Sequence, residues 1–184
     1  FHPFSLRVTI DTLEVEDAAA GLLLARAETV DASISPRRIL SGLSPVSRVR
    51  VANYALRIVD ANRPLLDRLR TREGSKEPLP DIHLVGGRIG IGPLGPVTRL
   101  DATLTEVRIR PVTYMGTRVD VAAKEVDGEL SVPGHPPGAL PFSSVDADLF
   151  AGEGIVRIRR FSAEGRSASL RLSGVVDPRR GEAN

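Results

Sequence analysis

The chain has 184 residues, of which 41% are hydrophobic and 26% charged, with a formal net charge of +2. Cysteine is absent, which excludes disulfide and thiol chemistry, and no stretch approaches the ~20 apolar residues of a transmembrane helix. Aromatics make up only 4% and Trp is absent, so a core has to be built from Val, Ile, Leu and Ala.

Leu6, Val8 and Ile10 alternate with Arg7, Thr9 and Asp11, the period of two that marks a strand with one dry face. Leu13 and Val15 resume that pattern one residue out of phase. A turn over Asp17 to Gly21 leads to a second strand, Leu22 to Ile34, filled by Ala25, Ala27, Thr29 and Val30. Ser35-Pro36 then reads as the N-cap and first residue of one helical turn, Arg37 to Leu40, with Gly42 as its stop. Val46 to Val51 is strand, and Tyr54, Leu56 and Ile58 carry it on in shifted phase. Asn62 caps a second short helix with Pro64 in its first turn. Leu65, Leu66 and Leu69 fall on one side of it, with Asp67, Arg68 and Arg70 on the other. About two turns are too short to be stable alone, so this helix is expected to cap one end of a sheet. Thr71 to Pro80 is polar and rich in turn formers. It is an internal boundary within one domain spanning residues 1–184, because the same strand pattern continues on both sides.

Ile82, Leu84, Ile89 and Ile91 make the next strand, interrupted at Gly86-Gly87. Val97 to Ile109 is the stretch around which the rest is organised. Leu100, Ala102 and Leu104 face one way, and Arg99, Asp101, Thr103 and Thr105 the other. After Thr105 the phase slips to Val107 and Ile109, which predicts a β-bulge. A return strand, Arg118 to Val132, carries Val119, Val121 and Ala123 and then, after another slip, Val126, Leu130 and Val132. Pro133 to Pro141 cannot be a central strand. Three more strands follow, Ser144 to Phe150, Ile155 to Ala163 and Ser167 to Val176, joined by turns at 152–154 and 164–166.

Consecutive strands with short links predict a mainly β fold, a curved antiparallel meander. It forms a groove or half-open barrel with two short helices in the N-terminal half. An apolar face of that size is too large to leave in water. It must close on itself, pack on another sheet or hold a ligand. The expected lining of a groove is Leu100, Ala102 and Leu104, then Val119, Val121 and Ala123 on the return strand. Val145, Ala147 and Leu149, Val156 and Ile158, and Leu170 and Leu172 continue it.

No motif carries catalysis. Gly90 to Gly95 matches G-x-G-x-x-G, but dinucleotide binding needs a helix opening there, and the residues that follow alternate as a strand. His2, His83 and His135 are far apart without spaced ligand partners, so no metal site is expected, and His83 is expected to face solvent. Ser143, Ser144, Asp146 and Asp148 come without a histidine base. A hydrolase would need the fold to bring one to them, so no enzyme activity and no cofactor are expected. The pI of about 9.5 is high, but Arg37-Arg38, Arg159-Arg160 and Arg179-Arg180 are scattered pairs rather than the concentrated patch that nucleic acid needs. Tyr54, Tyr114, Phe142, Phe150 and Phe161 suit a lipid site or simple core filling.

The order of these signals resembles the N-terminal region of AsmA-like and TamB-like proteins, bacterial envelope proteins of the repeated β-groove type. The likeness rests on LRVTIDTLEVEDAAAGLLLARAETVDASISPRRILSG, VSRVRVANYALRIVDANRPLLDRL and LPDIHLVGGRIGIG, and on the Leu-x-Leu-x-Gly pattern between Gly165 and Asp177. It covers most of the chain, through loose apolar patterns. The resemblance implies a periplasmic body, an inner-membrane anchor upstream, and an apolar groove. That groove shields phospholipid acyl chains between inner and outer membranes or supports outer-membrane assembly. The chain departs from the family in being short and in lacking the anchor. It begins at Phe1, so it is expected to be a fragment of a longer protein. The alternative is a structural β-sandwich module that binds envelope protein partners.

Overall fold

The computed structural model describes residues 6–17, 22–60, 79–93, 97–113, 116–130, 138–139, 142–152, 155–166, 169–177 and 182–183. These build one layer of sheet. The strands are β1 (Leu6–Asp17), β2 (Leu22–Ile34), β3 (Val46–Ile58), β4 (Asp81–Ile91), β5 (Val97–Thr113) and β6 (Gly116–Leu130). The two-residue β7 (Gly138–Ala139) follows, then β8 (Phe142–Gly152), β9 (Ile155–Glu164), β10 (Ser169–Asp177) and β11 (Glu182–Ala183). They lie side by side in chain order, with β7 set aside on the end of β6. The sheet is curved and open, and β1 stands at one edge of the described strands.

The expected meander is broken once. β3 and β4 pair in parallel, Arg48 beside Asp81 through Ile58 beside Ile91. A parallel pair needs a long crossover to carry the chain back to the starting end, and residues 59–80 provide it. The sequence pattern predicts a short helix with Leu65, Leu66 and Leu69 and then a boundary loop, Thr71 to Pro80, within an antiparallel series; the parallel pairing overturns the last of these. Every other described pairing is antiparallel.

Among the described residues there is one helix, α1 (Pro36–Leu40). The second expected helix, with Leu65, Leu66 and Leu69, lies outside the described residues. α1 stops as expected: Gly42 takes φ +70°, its amide donates to Ile39 O at 3.0 Å, and the Leu43 amide donates to Arg38 O at 2.9 Å. This is a Schellman closure, which satisfies carbonyls the helix cannot. Ser35 differs from expectation. Its side chain makes no capping bond, and its carbonyl alone accepts from the Arg38 and Ile39 amides.

The phase slips read from sequence are real, and all but the one at Glu125 share one line. Thr12, Asn53, Gly86 and Glu125 all have left-handed backbone, with φ of 63°, 51°, 63° and 52°. Such residues are uncommon outside glycine, and a β-branched Thr there is a true outlier. Thr12 falls opposite Glu28, because Asp11 pairs Thr29 and Leu13 pairs Ala27. Asn53 faces Glu28 from the other side and donates to its carboxylate at 2.8 Å. Gly86 sits beside Asn53, and the bulge at Thr105 sits beside Gly86, between the Leu84–Val107 and Gly87–Leu104 pairs. Thr105 Oγ1 donates to Ala122 O at 3.0 Å across that bulge. A crease thus crosses five strands at one level. Each strand inverts its alternation there, so apolar residues stay on the same side above and below it.

Candidate functional site

Paired residues in a ladder point to the same side of a sheet, so register alone assembles the faces. One row runs Ile10, Val30, Val51, Leu84, Val107, Val121, Ala147, Phe161, Leu172 from β1 to β10. Across the crease another runs Leu13, Ala27, Tyr54, Gly87, Leu104, Ala123, Val145, Ala163, Leu170. The expected lining residues Leu100, Ala102, Leu104, Val119, Val121, Ala123, Val145, Ala147, Leu149, Val156, Ile158, Leu170 and Leu172 all fall on this one side. Exposure is graded along it. Leu104 keeps 9% of its surface and Ala163 none, whereas Leu6 keeps 65% and Leu170 45%. The buried centre is Ala27, Val30, Tyr54, Ala102, Leu104, Val107, Ala123 and Val126. The described strands touch chiefly their ladder neighbours.

Tyr54 and Gly87 form a close approach at the centre. A Cβ on Gly87 would collide with Tyr54 Cζ and both Cε atoms, so the ring lies flat on the β4 backbone. The Tyr54 hydroxyl is buried without a hydrogen-bond partner, and burial pushes its pKa up to about 12. Sequence reading noted Tyr54 only as filler or lipid contact, since the glycine it covers lies on another strand. A second close approach closes the β4–β5 end. Gly92 has φ +129°, and a Cβ there would collide with the Thr98 carbonyl oxygen.

The opposite face is ionic. Asp31 accepts from Arg7 at 2.6 Å and from Thr9 at 2.8 Å. Arg118 reaches Asp148 at 2.9 Å, and Asp120 takes both Arg110 and Arg118. His83 lies on this wet side, as its place between Ile82 and Leu84 predicts, and meets Glu106 at 2.7 Å, with Arg108 on the same carboxylate oxygen. Asp146 and Asp148 lie on this wet side, as expected from their alternation. Ser143 Oγ is engaged with Glu164 O at 2.8 Å. Among the described residues no group of three His, Asp or Glu could hold a metal ion. A cleft of about 1240 Å³ is lined by Leu24, Leu56, Ile89 and Ala102 together with Arg26, Arg88, Asp101 and Glu125. Sequence reading missed it, because its lining is brought together only by the register of β2 to β6.

These ion pairs predict acid sensitivity. Arg7 and then Thr9 hold the Asp31 carboxyl below its ordinary value, and Arg108 and then His83 do so for Glu106. Burial pushes Asp120 up, but Arg110 and Arg118 together outweigh it and leave it lowered. A carboxyl lowered in the folded state contributes stability fully above its unfolded pKa of about 4 and loses it as pH falls through the folded value. The urea midpoint is therefore expected to be flat from about pH 7 to about pH 5 and to drop below about pH 4. Asp120→Asn should shrink that drop; an unchanged drop would mean that the Asp120 pairing contributes none of it.

No family model matches the chain, and no curated protein matches it.

Proposed function

We propose that this chain is a β-groove module of the AsmA-like and TamB-like kind. In this reading it belongs to the periplasm, is held at the bacterial inner membrane by an anchor upstream, and shields phospholipid acyl chains. It thereby serves lipid passage between inner and outer membranes or outer-membrane assembly. What carries the reading is one side of a single-layer sheet that stays apolar from β1 to β10. Keeping it apolar required inverting the alternation at the crease in five strands, with left-handed backbone at non-glycine residues. A sheet that only needed a core could end its strands there.

The energetics suit a guest chain. Each methylene that leaves water gains ~0.8 kcal/mol, so an acyl chain of ordinary length gains on the order of 10 kcal/mol. About six strands at ~4.8 Å spacing make a trough of roughly 30 Å, long enough for one chain. No bond is made or broken, so no catalytic group is called for.

The test is native mass spectrometry and lipid extraction of the purified chain, before and after incubation with phosphatidylglycerol vesicles. About one bound phospholipid per chain is expected. A chain that stays lipid-free in both states overturns the reading. The alternative, a structural module that binds envelope proteins, is favoured by β1. Every described side chain from Leu6 to Glu16 is exposed there, on a strand whose outer edge has no partner among the described residues, the arrangement used in strand addition. A lipid-free chain that forms a stable complex through β1 would support it.

A further inference from the structure

The outer edge of β1 is long and unguarded. It runs 12 residues, Leu6–Asp17, with no Pro, Gly or Lys, and it has no partner among the described residues. Sheets ordinarily blunt such an edge with Lys, Pro or a charge on the apolar side. Val8, Ile10, Leu13 and Val15 keep between 39% and 44% of their surface, far more than the residues of the buried centre. The crease divides the strand into two unlike halves. Arg7 lies before Thr12, and Glu14 and Glu16 lie after it. Arg7 holds Asp31 yet leaves 63% of its side chain exposed. The apolar residues are split too: Leu6, Val8 and Ile10 are even-numbered before the crease, and Leu13 and Val15 odd-numbered after it.

We propose that two copies of this chain pair antiparallel through β1, about a two-fold axis between Asp11 and Thr12. Ile10 then faces Leu13 of the second copy, and Val8 faces Val15, all on the apolar side. On the wet side Arg7 meets Glu16, opposite in charge, and Thr9 meets Glu14. The inversion at Thr12 is what permits this. Such an axis sets even-numbered residues against odd-numbered ones, which point to opposite faces in an uninterrupted strand. Here they point to one face, because the crease lies between them. A shift of one residue sets Val8 against Glu14 or Glu16. A shift of two sets Ile10 against Asp11, or Leu13 against Thr12. The proposed register also lays crease against crease, so the apolar side runs on from one copy into the other. The interface is isologous and closes at two copies. It does not depend on what the apolar face holds.

The chain has no cysteine, so introduced cysteines report the register cleanly. Thr9→Cys and Glu14→Cys chains, mixed and oxidised, should form a disulfide-linked pair, since facing Cα atoms in an antiparallel ladder lie about 4.5–5.5 Å apart. Either variant alone should stay unlinked, because each cysteine would sit about five residues, roughly 17 Å, along the strand from its own copy. Light scattering of the unaltered chain at about 100 µM should give twice the 19.7 kDa of one chain. Val8→Lys sets a charge on the apolar side of the edge and should give the single-chain mass with unchanged far-ultraviolet circular dichroism. A single-chain mass for the unaltered chain at that concentration overturns the inference. So does a mass that keeps growing with concentration, which would mean β1 pairing with β10 of the next copy. Linkage of Thr9→Cys to itself, or a two-chain mass that survives Val8→Lys undiminished, overturns it as well.

Discussion

Replacing Leu104 by Asp is expected to unfold the sheet at its centre. Leu104 lies on β5 between Gly87 and Ala123, keeps 9% of its surface, and belongs to the buried cluster with Tyr54, Ala102 and Val107. Truncating such a residue to Ala costs about 2–5 kcal/mol. Asp removes the same contacts and adds a carboxylate to an apolar cluster, where it must take up a proton or draw in water. A loss above about 4 kcal/mol would remove much of the 5–15 kcal/mol that holds an ordinary domain together. Circular dichroism should show a collapsed or absent thermal transition. Leu172→Asp is the control. It points to the same side from β10 but keeps 39% of its surface, so it should cost no more than about 1 kcal/mol and stay folded. The folded variant then reports whether a charge at the far end of the face impairs lipid capture. Equal melting of the two variants would contradict the graded burial along the rows.

Gly87→Ala is the second large effect. The added Cβ meets the Tyr54 ring head-on, and the ring cannot slide far because Ala27 and Val30 are packed into the same cluster. Overpacking of this kind costs about 1–3 kcal/mol. The cause is tested by a double-mutant cycle. Tyr54→Ala should itself destabilise, yet in its presence Gly87→Ala should cost little or turn favourable, since Ala suits a strand better than Gly. Additive losses in urea titrations would mean that the ring does not lie on Gly87.

The sequence made much of this architecture legible, strand by strand. The alternation of Leu100, Ala102 and Leu104 with its slip at Thr105 is local information, and the bulge is where the slip predicts it. The same holds for Leu13 after Ile10, Tyr54 after Val51 and Val126 after Ala123, where the backbone turns left-handed at Thr12, Asn53 and Glu125. What one strand cannot carry is its neighbour. That Thr12, Asn53, Gly86 and Thr105 share a level depends on register, which the connections and the whole sheet fix together. The direction of β4 was equally hidden. Ile82 and Leu84 alternate in the same way whichever end the chain enters from, so the parallel pair with β3 had no local mark. The wet side of His83 was legible, but not its partner, because only the β4–β5 ladder brings Glu106 to it. Tyr54 looked like filler because Gly87 has no side chain to announce a contact.

The parallel seam between β3 and β4 divides the order in which the chain can assemble. On either side of it, strands meet by zipping from nearby links, which is fast and local. At the seam itself two edges must find each other only after residues 59–80 have looped back, at an entropic cost that no neighbouring contact offsets in advance. The molecule is therefore expected to arise as two independently nucleated ribbons, β1 to β3 and β4 onward, that merge in a late, slow step. Substitutions at Val49 or Leu84 should slow that merger, while those at Ile10 or Ile158 should chiefly hasten unravelling.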